Sequence, residues 1–116
     1  MRRRMYNEYS IIMTTYPTKE KAKQIAGLLV KKRLAACVQM IPAESVFIWD
    51  GELNESSETL LLIKSKPAMF DDVKALIKGE HTYEVPEIVQ ISITDGLPEY
   101  LKWIDENVSR ETMLTS

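Results

Sequence analysis

Apolar positions along the chain recur with two different periods, and these periods predict strands and helices in turn. Helical spacing is clearest where Ala22, Ile25, Ala26 and Leu29 form one apolar stripe among lysines. The predicted elements are a strand over 9–15, a helix over 18–32, long strands over 34–49 and 52–66, a helix over 67–79, a strand over 88–94 and a helix over 98–108.

The two long strands are joined by Asp50-Gly51, a pair that supplies the two positive-φ positions of a type I′ hairpin turn. An arm of about 15 residues spans roughly 50 Å, which exceeds the width of a compact domain of this size. The hairpin is therefore expected to overhang, with Pro42 bending or bulging its first arm and dividing a sheet-bound half from an overhanging half. Because the tip carries apolar residues (Phe47, Ile48, Trp49, Leu53), we expect other copies of the chain to cover it.

The order strand, helix, strand, strand, helix, strand contains two βαβ units joined by a hairpin. This order predicts an α+β, ferredoxin-like split βαβ sandwich with an extra C-terminal helix. Both crossover helices are expected on one face of a four-stranded antiparallel sheet, which leaves the other face bare. Gly27 is expected to mark close packing of the first helix on the sheet, and Gly79 to cap the second.

Composition bounds the chain to one domain over 9–108, with an N-terminal extension over 1–8 and a mobile tail over 109–116. The net charge of −2 provides no electrostatic surface for nucleic acid. No window approaches the apolar length of a membrane span, so no membrane partner is expected. The single Cys37 cannot form an intrachain disulfide, which fits a reducing cytoplasm and predicts a cytoplasmic location.

Five motifs, in order from Ile11 to Val108, resemble those of CutA, the divalent-cation tolerance family. They are Arg33-Leu-Ala-Ala-Cys-Val38, Ile48-Trp-Asp-Gly51, Leu61-Leu-Ile-Lys-Ser65, His81-Thr-Tyr-Glu-Val-Pro-Glu-Ile88 and Tyr100-Leu-Lys-Trp-Ile104. The resemblance implies a ferredoxin-like fold, a homotrimer built through the long hairpin, and an architecture akin to PII signalling proteins. It also implies a role in tolerance of copper or another divalent metal ion.

The chain departs from the family pattern at three positions near the implied metal chemistry. Thr82 stands where the family usually has proline, and Glu80 stands where some members carry a second histidine. Thr14 stands where some members carry a cysteine. The last two changes remove borderline or soft ligands for copper.

The candidate metal ligands are His81, Glu84 and Glu87, one imidazole and two carboxylates that could hold a divalent ion as cofactor. The alternative is that His81 and Tyr83 fix the loop and that the glutamates are solvated. Cys37 is expected to be a small buried hydrophobe rather than a thiolate ligand. One histidine and one buried cysteine make no catalytic constellation, so no enzyme is predicted.

A second candidate site joins aromatic residues to one lysine. Trp49, Tyr83, Tyr100 and Trp103 are expected to anchor subunit interfaces. The alternative is that Lys64 and the Tyr83-Glu84 loop line an inter-subunit cleft for a small anionic ligand or an unidentified protein partner. The sequence therefore supports two functions, a metal-tolerance homotrimer without turnover or a trimeric signalling or scaffold module.

Overall fold

A computed structural model describes residues 8–109, in which the strands and helices follow the predicted order. The elements are β1 (Ser10–Tyr16), α1 (Lys19–Lys31), β2 (Cys37–Trp49), β3 (Glu52–Ser65), a 3₁₀ turn (Pro67–Met69), α2 (Phe70–Gly79), β4 (Val89–Ser92) and α3 (Pro98–Asn107). The predicted extension and tail, apart from Glu8 and Ser109, lie outside the described residues. Within the described range, no helix combines the length and apolar character that a bilayer crossing requires.

The four strands form one sheet in the order β2-β3-β1-β4, and every pair of neighbours is antiparallel. This order confirms the ferredoxin-like α+β prediction. One face of the sheet carries Ile12, Leu61 and Ile63, which are fully buried. They form a single core cluster with α1, α2 and α3 through a set of buried helix residues: Ala22, Ile25, Ala26, Leu29, Val73, Ile77, Leu101 and Ile104.

The opposite face of the sheet, here called the second face, is also apolar but is open to solvent. The strand register places its side chains in neighbouring rows, and they are Ile11, Met13, Ile41, Leu60, Leu62, Val89 and Ile91. Ile41, Val89 and Ile91 are between 42% and 50% exposed. In a two-layer domain, the outer face of the sheet would instead carry polar side chains. Among the described residues, α3 lies at one end of the second face, where Tyr100 approaches Lys64, and the rest of this apolar surface is open in one protomer.

The hairpin β2–β3 overhangs the rest of the sheet, as predicted. Asp50 and Gly51 have φ of 57° and 78°, the two positive values that a type I′ turn requires. β1 pairs with β3 only as far as Thr59, so the ribbon beyond that point is two-stranded. The radius of gyration of 15.2 Å exceeds the value of about 13 Å expected for a compact domain of this length.

Pro42 does not bulge the first arm, which corrects the sequence prediction. The pairing of β2 with β3 runs in unbroken register from Cys37↔Lys64 to Trp49↔Glu52, through Pro42↔Thr59. β2 is an edge strand, so a proline whose nitrogen faces away from β3 removes no ladder hydrogen bond. As predicted, however, Pro42 stands at the boundary where β1 ends and the two-stranded overhang begins.

The ends of α1 explain its length. Thr18 caps the N-terminus, and its Oγ1 accepts a hydrogen bond from Lys21 N at 3.2 Å. At the C-terminus the amides of Arg33 and Leu34 donate to the carbonyls of Val30 and Leu29, which is the Schellman pattern, and Arg33 takes the left-handed φ of 63°.

Two glycine predictions were wrong. A Cβ added at Gly27 would meet no atom within 4 Å, so this glycine does not mark close packing on the sheet. Gly79 is the last residue of α2, and the C-cap is Glu80 with a φ of −111°. At Glu80 the helix ends without a residue in the left-handed conformation. The Glu80 amide instead donates to the carbonyls of Leu76 and Ile77, as in the last turn of a helix.

Candidate functional site

A groove of about 310 Å³ lies between the overhanging hairpin and the loop that follows α2. We call it the hairpin groove, and its lining residues are Phe47, Trp49, Ser56, Glu58, Tyr83, Glu84 and Val85. Its walls are largely aromatic or aliphatic, with Phe47 43% and Trp49 51% exposed. Among the described residues that line it, the charged ones are carboxylates: Glu58 and Glu84 here, and Glu87 in a neighbouring part of the same depression.

Glu58 is the fixed carboxylate of the hairpin groove. Its Oε1 accepts a hydrogen bond from Ser45 Oγ at 2.7 Å, and its Oε2 accepts one from the Tyr83 hydroxyl at 2.8 Å. Desolvation opposes ionisation of Glu58, but the hydrogen bonds from Ser45, Tyr83 and Thr15 outweigh it and lower the carboxyl pKa. Glu58 is therefore ionised at neutral pH, and the groove carries a positioned negative charge.

Tyr83 is held in the complementary protonation state. Burial and the hydrogen bond to Glu58 raise the pKa of the Tyr83 phenol to about 12. The hydroxyl therefore stays a donor throughout the physiological range. This bond ties the loop after α2 to the hairpin.

His81 fixes the same loop to β1 through Nε2, while Nδ1 accepts a hydrogen bond from within the loop. Nε2 lies 2.6 Å from the Thr15 carbonyl oxygen, and the Tyr83 amide donates to Nδ1 at 3.1 Å. A carbonyl can only accept and an amide N–H can only donate, so the neutral ring carries its proton on Nε2. The ring also stacks on Tyr16, with centroids 4.3 Å apart, and lies 4.7 Å from the Tyr83 ring.

The predicted metal set of His81, Glu84 and Glu87 is not assembled within one protomer. Over residues 8–109, no three histidine, cysteine, aspartate or glutamate side chains converge as a metal-binding group. The Nδ1 lone pair that would bind a metal already accepts from the Tyr83 amide, so ligation through Nδ1 would break that hydrogen bond. The arrangement of His81 matches the loop-fixing alternative instead.

The predicted cleft residues fall into two separate places. Trp49 and Tyr83 line the hairpin groove, whereas Lys64, Tyr100 and Trp103 lie together at the other end of the second face. Lys64 Nζ donates to Gln39 Oε1 at 2.9 Å and lies 5.8 Å from the Tyr100 ring centroid. Lys64 and Glu58 are six residues apart on β3, or roughly 20 Å. A single chain therefore does not bring Lys64 to the Tyr83-Glu84 loop.

Cys37 differs from its predicted place in the core. It is half-buried and lies opposite Lys64 on the edge strand, on the second face. The buried small residues of this segment are Ala35 and Ala36, which precede the strand.

Sequence reasoning missed Glu58 and Ser45 as members of the site. The signal that could have found them is the Asp50-Gly51 turn, because a two-residue loop fixes every cross-strand pair of the hairpin. That register places Ser45 opposite Ser56 and Glu58 opposite Ala43, on the same face as Trp49. The contact with Tyr83 depends on tertiary packing and had no local signal.

Fold and groove together define a class, the ferredoxin-like α+β proteins with an overhanging hairpin and an acidic, aromatic groove beside it. The CutA1 divalent ion tolerance protein family matches residues 10–107. A divalent-cation tolerance protein CutA of Thermus thermophilus is 44% identical over 98 residues, which cover 84% of this chain and 95% of the relative. The chain belongs to the CutA1 divalent ion tolerance family.

Solved structures of the family share the fold along almost their whole length. A CutA from Archaeoglobus fulgidus, described as periplasmic, superposes with a TM-score of 0.85 at 39% identity, covering 87% of this chain and 99% of that one. CutA1 from Oryza sativa superposes with a TM-score of 0.86 at 33% identity, covering 91% and 98%. The family and fold predictions are thus confirmed.

Proposed function

We propose that this chain serves divalent-cation tolerance as a cytoplasmic homotrimer without catalytic turnover, and that the assembled trimer is the functional unit. The observation that carries the proposal is the exposed apolar second face, which continues along the hairpin through Phe47 and Trp49. The opposite side of the hairpin tip is also apolar and open, since Val46, Ile48 and Leu53 are each 65% to 69% exposed. A two-stranded ribbon is marginally stable in water by itself, so burial by other copies supports this arrangement.

The groove supports a role in binding a partner or ligand rather than in chemistry. Its residues include one ionised carboxylate held by two hydroxyls and a histidine whose ring nitrogens are both hydrogen-bonded. Neither group is arranged as a nucleophile with its base. The trimer is therefore proposed to act as a signalling or scaffold module within cation tolerance.

Direct binding of a divalent cation is the second candidate function. It is favoured by the carboxylates that line the groove, Glu58, Glu84 and Glu87, with no lysine or arginine beside them in the part of the chain that the structure describes. In this geometry Glu84 and Glu87 have the free oxygens, and His81 would have to leave the Tyr83 amide to take part. The oxygen ligands available would suit a hard ion better than copper.

A calorimetric copper(II) titration separates the two functions. Wild type, His81→Ala and Glu84→Gln are titrated at equal protomer concentration after their native masses have been checked. The scaffold proposal predicts equally weak binding in all three proteins. Micromolar or tighter stoichiometric binding that is lost in His81→Ala would establish a metal function and contradict the loop-fixing role of this histidine.

A further inference from the structure

A shallow depression of about 450 Å³ lies on the outer surface of α1. We call it the α1 depression, and its lining residues are Lys23, Gln24, Gly27, Leu28, Val30 and Lys31. Leu28 is half-buried and Val30 is 42% exposed, so the lining includes an apolar patch. α1 packs on the core face of the sheet, opposite the second face. The α1 depression therefore stays open if copies of the chain associate through the second face and the hairpin.

Gly27 lies in the middle of the α1 depression at a cost to the helix. A glycine inside a helix lowers stability by about 1 kcal/mol relative to alanine. A Cβ added here would meet no atom within 4 Å, so no contact among the described residues requires its absence. Glycine is also the residue that lets another molecule approach a backbone most closely. The missing side chain therefore fits an occupant that comes from outside the protomer.

The charged residues that line the α1 depression are both lysines. Lys23 and Lys31 lie four residues before and four residues after Gly27, which places their Cα atoms about 12 Å apart along one side of the helix. Over residues 8–109, no ion pair or side-chain hydrogen bond involves either lysine or Gln24. Glu20, the acidic residue in the first turn of α1, lies outside the lining. The α1 depression is therefore a cationic surface around an apolar centre.

We infer that the α1 depression docks an acidic, amphipathic helix of a partner protein. Such a helix presents one apolar side chain to the space over Gly27, and carboxylates on either side of it to Lys23 and Lys31. Acidic residues at helical positions i and i+7 lie on one face about 10.5 Å apart, with an apolar residue at i+4 between them. The surface belongs to a single protomer, so the inference goes beyond the proposed function and does not depend on the homotrimer.

Two other anionic partners fit the α1 depression less well. A membrane surface binds a helix whose apolar face is free to insert, whereas the apolar stripe of α1 is buried in the core. Nucleic acid favours a basic domain, whereas this chain has a net charge of −2. The described lining residues also include no aromatic side chain on which a base could stack. An acidic helix requires only a pair of cations and an apolar contact, which the α1 depression supplies.

A designed peptide is the probe for this surface. It is a helix built from alanine and glutamine with Glu, Leu and Glu at positions i, i+4 and i+7, and the control peptide carries Gln in place of both Glu residues. Each peptide is titrated into the isotopically labelled full-length chain, and backbone amide shifts are recorded by NMR. We expect saturable shifts confined to α1 and its neighbours, with a Kd of about 1 mM or tighter at low salt. The control peptide should bind about fivefold more weakly or less.

Variants of the chain separate docking from a general effect of charge. Lys23→Glu and Lys31→Glu should each weaken binding of the acidic peptide by about fivefold or more, because each replaces an attraction by a repulsion. Lys102→Glu on the exposed side of α3 makes the same change in net charge outside the lining, and binding should stay within about twofold of wild type.

Gly27→Leu is the sharpest variant, because the inference predicts opposite signs for binding and stability. The added side chain fills the α1 depression, so binding of the acidic peptide should weaken by about fivefold or more. The urea midpoint should stay unchanged or rise, since leucine forms helices better than glycine. A residue with only a structural role would not lower binding while raising stability.

Three results would overturn the inference. The first is an absence of saturable shifts on α1, or equal binding of the acidic peptide to wild type and Gly27→Leu. The second is a response of the same amides to vesicles of phosphatidylserine and phosphatidylcholine in equal parts but not to the peptide, which would assign a lipid surface. The third is a native mass that Lys23→Glu lowers, which would assign the α1 depression to a second copy of the chain. A monomeric wild type that binds the peptide would contradict only the proposed homotrimer and would support the docking site.

Discussion

At the scale of single residues, the site is a chain of hydrogen bonds that ties the loop after α2 to the sheet. It runs from the Thr15 carbonyl through His81 and Tyr83 to Glu58 and Ser45, with every link between 2.6 and 3.1 Å. Each member has a donor or acceptor role fixed by its neighbour. The single histidine thereby shapes the groove instead of offering a free ligand.

Tyr83→Phe should remove the phenol donor to Glu58 and lower the free energy of unfolding by about 1 kcal/mol at neutral pH. The measurement is urea unfolding at fixed protomer concentration, with Tyr100→Phe as the control because no described side chain hydrogen-bonds to its hydroxyl. An equal loss in both variants would contradict the assigned network.

The difference in unfolding free energy between wild type and Tyr83→Phe should depend on pH, because the pKa values of Glu58 and Tyr83 are both shifted. The pKa of Glu58 is lowered, so its contribution is present above the ordinary carboxyl pKa and is lost as pH falls through the folded value. The pKa of Tyr83 is raised to about 12, so its contribution is present below its ordinary value of 10.0 and is lost as pH rises towards 12. The gap between wild type and Tyr83→Phe should therefore close at both extremes, and a pH-independent gap would contradict the charge-assisted bond.

At the scale of elements, the sequence predicts those features that depend on local chemistry. Asp50-Gly51 predicts the turn, and the apolar stripe predicts α1 between Thr18 and Lys32 to within a residue. The bulge predicted at Pro42 is absent because β2 is an edge strand, where a proline can be accommodated without breaking the pairing. The close packing predicted at Gly27 is absent because this side of α1 is open. Glu58 was missed as a site residue because its role depends on a hydrogen bond from Tyr83, which lies 25 residues further along the chain.

The open surface of α1 around Gly27 predicts that Gly27→Ala is tolerated. The added methyl group meets nothing within 4 Å, and alanine restricts the unfolded chain, so the variant should be more stable by about 0.5–1 kcal/mol. Gly51→Ala provides the contrast, because its φ of +78° should make the same substitution destabilising by about 1 kcal/mol. Thermal unfolding of both variants against wild type gives the answer, and destabilisation by Gly27→Ala would mean that this helix surface is packed after all.

At the scale of the whole molecule, the fold has one face buried under helices and one face that a single protomer leaves open. The open surface runs from Lys64 and Tyr100 at one end of the second face to the hairpin groove at the other. Its apolar middle supports the proposed association of copies of the chain. Family membership and fold are established, and the assembly is the property on which the proposed function depends.

The native mass of the purified wild-type chain, followed over dilution and set beside Trp49→Ala, tests this account most directly. We expect three times the protomer mass of 13.3 kDa at micromolar concentration, with an unfolding temperature that falls on dilution where dissociation accompanies unfolding. Trp49→Ala, which removes an exposed aromatic side chain of the groove, should raise the subunit dissociation constant. A wild-type mass of 13.3 kDa at the same concentrations would contradict the account, because the second face and the hairpin tip would then be stable surfaces of a monomer.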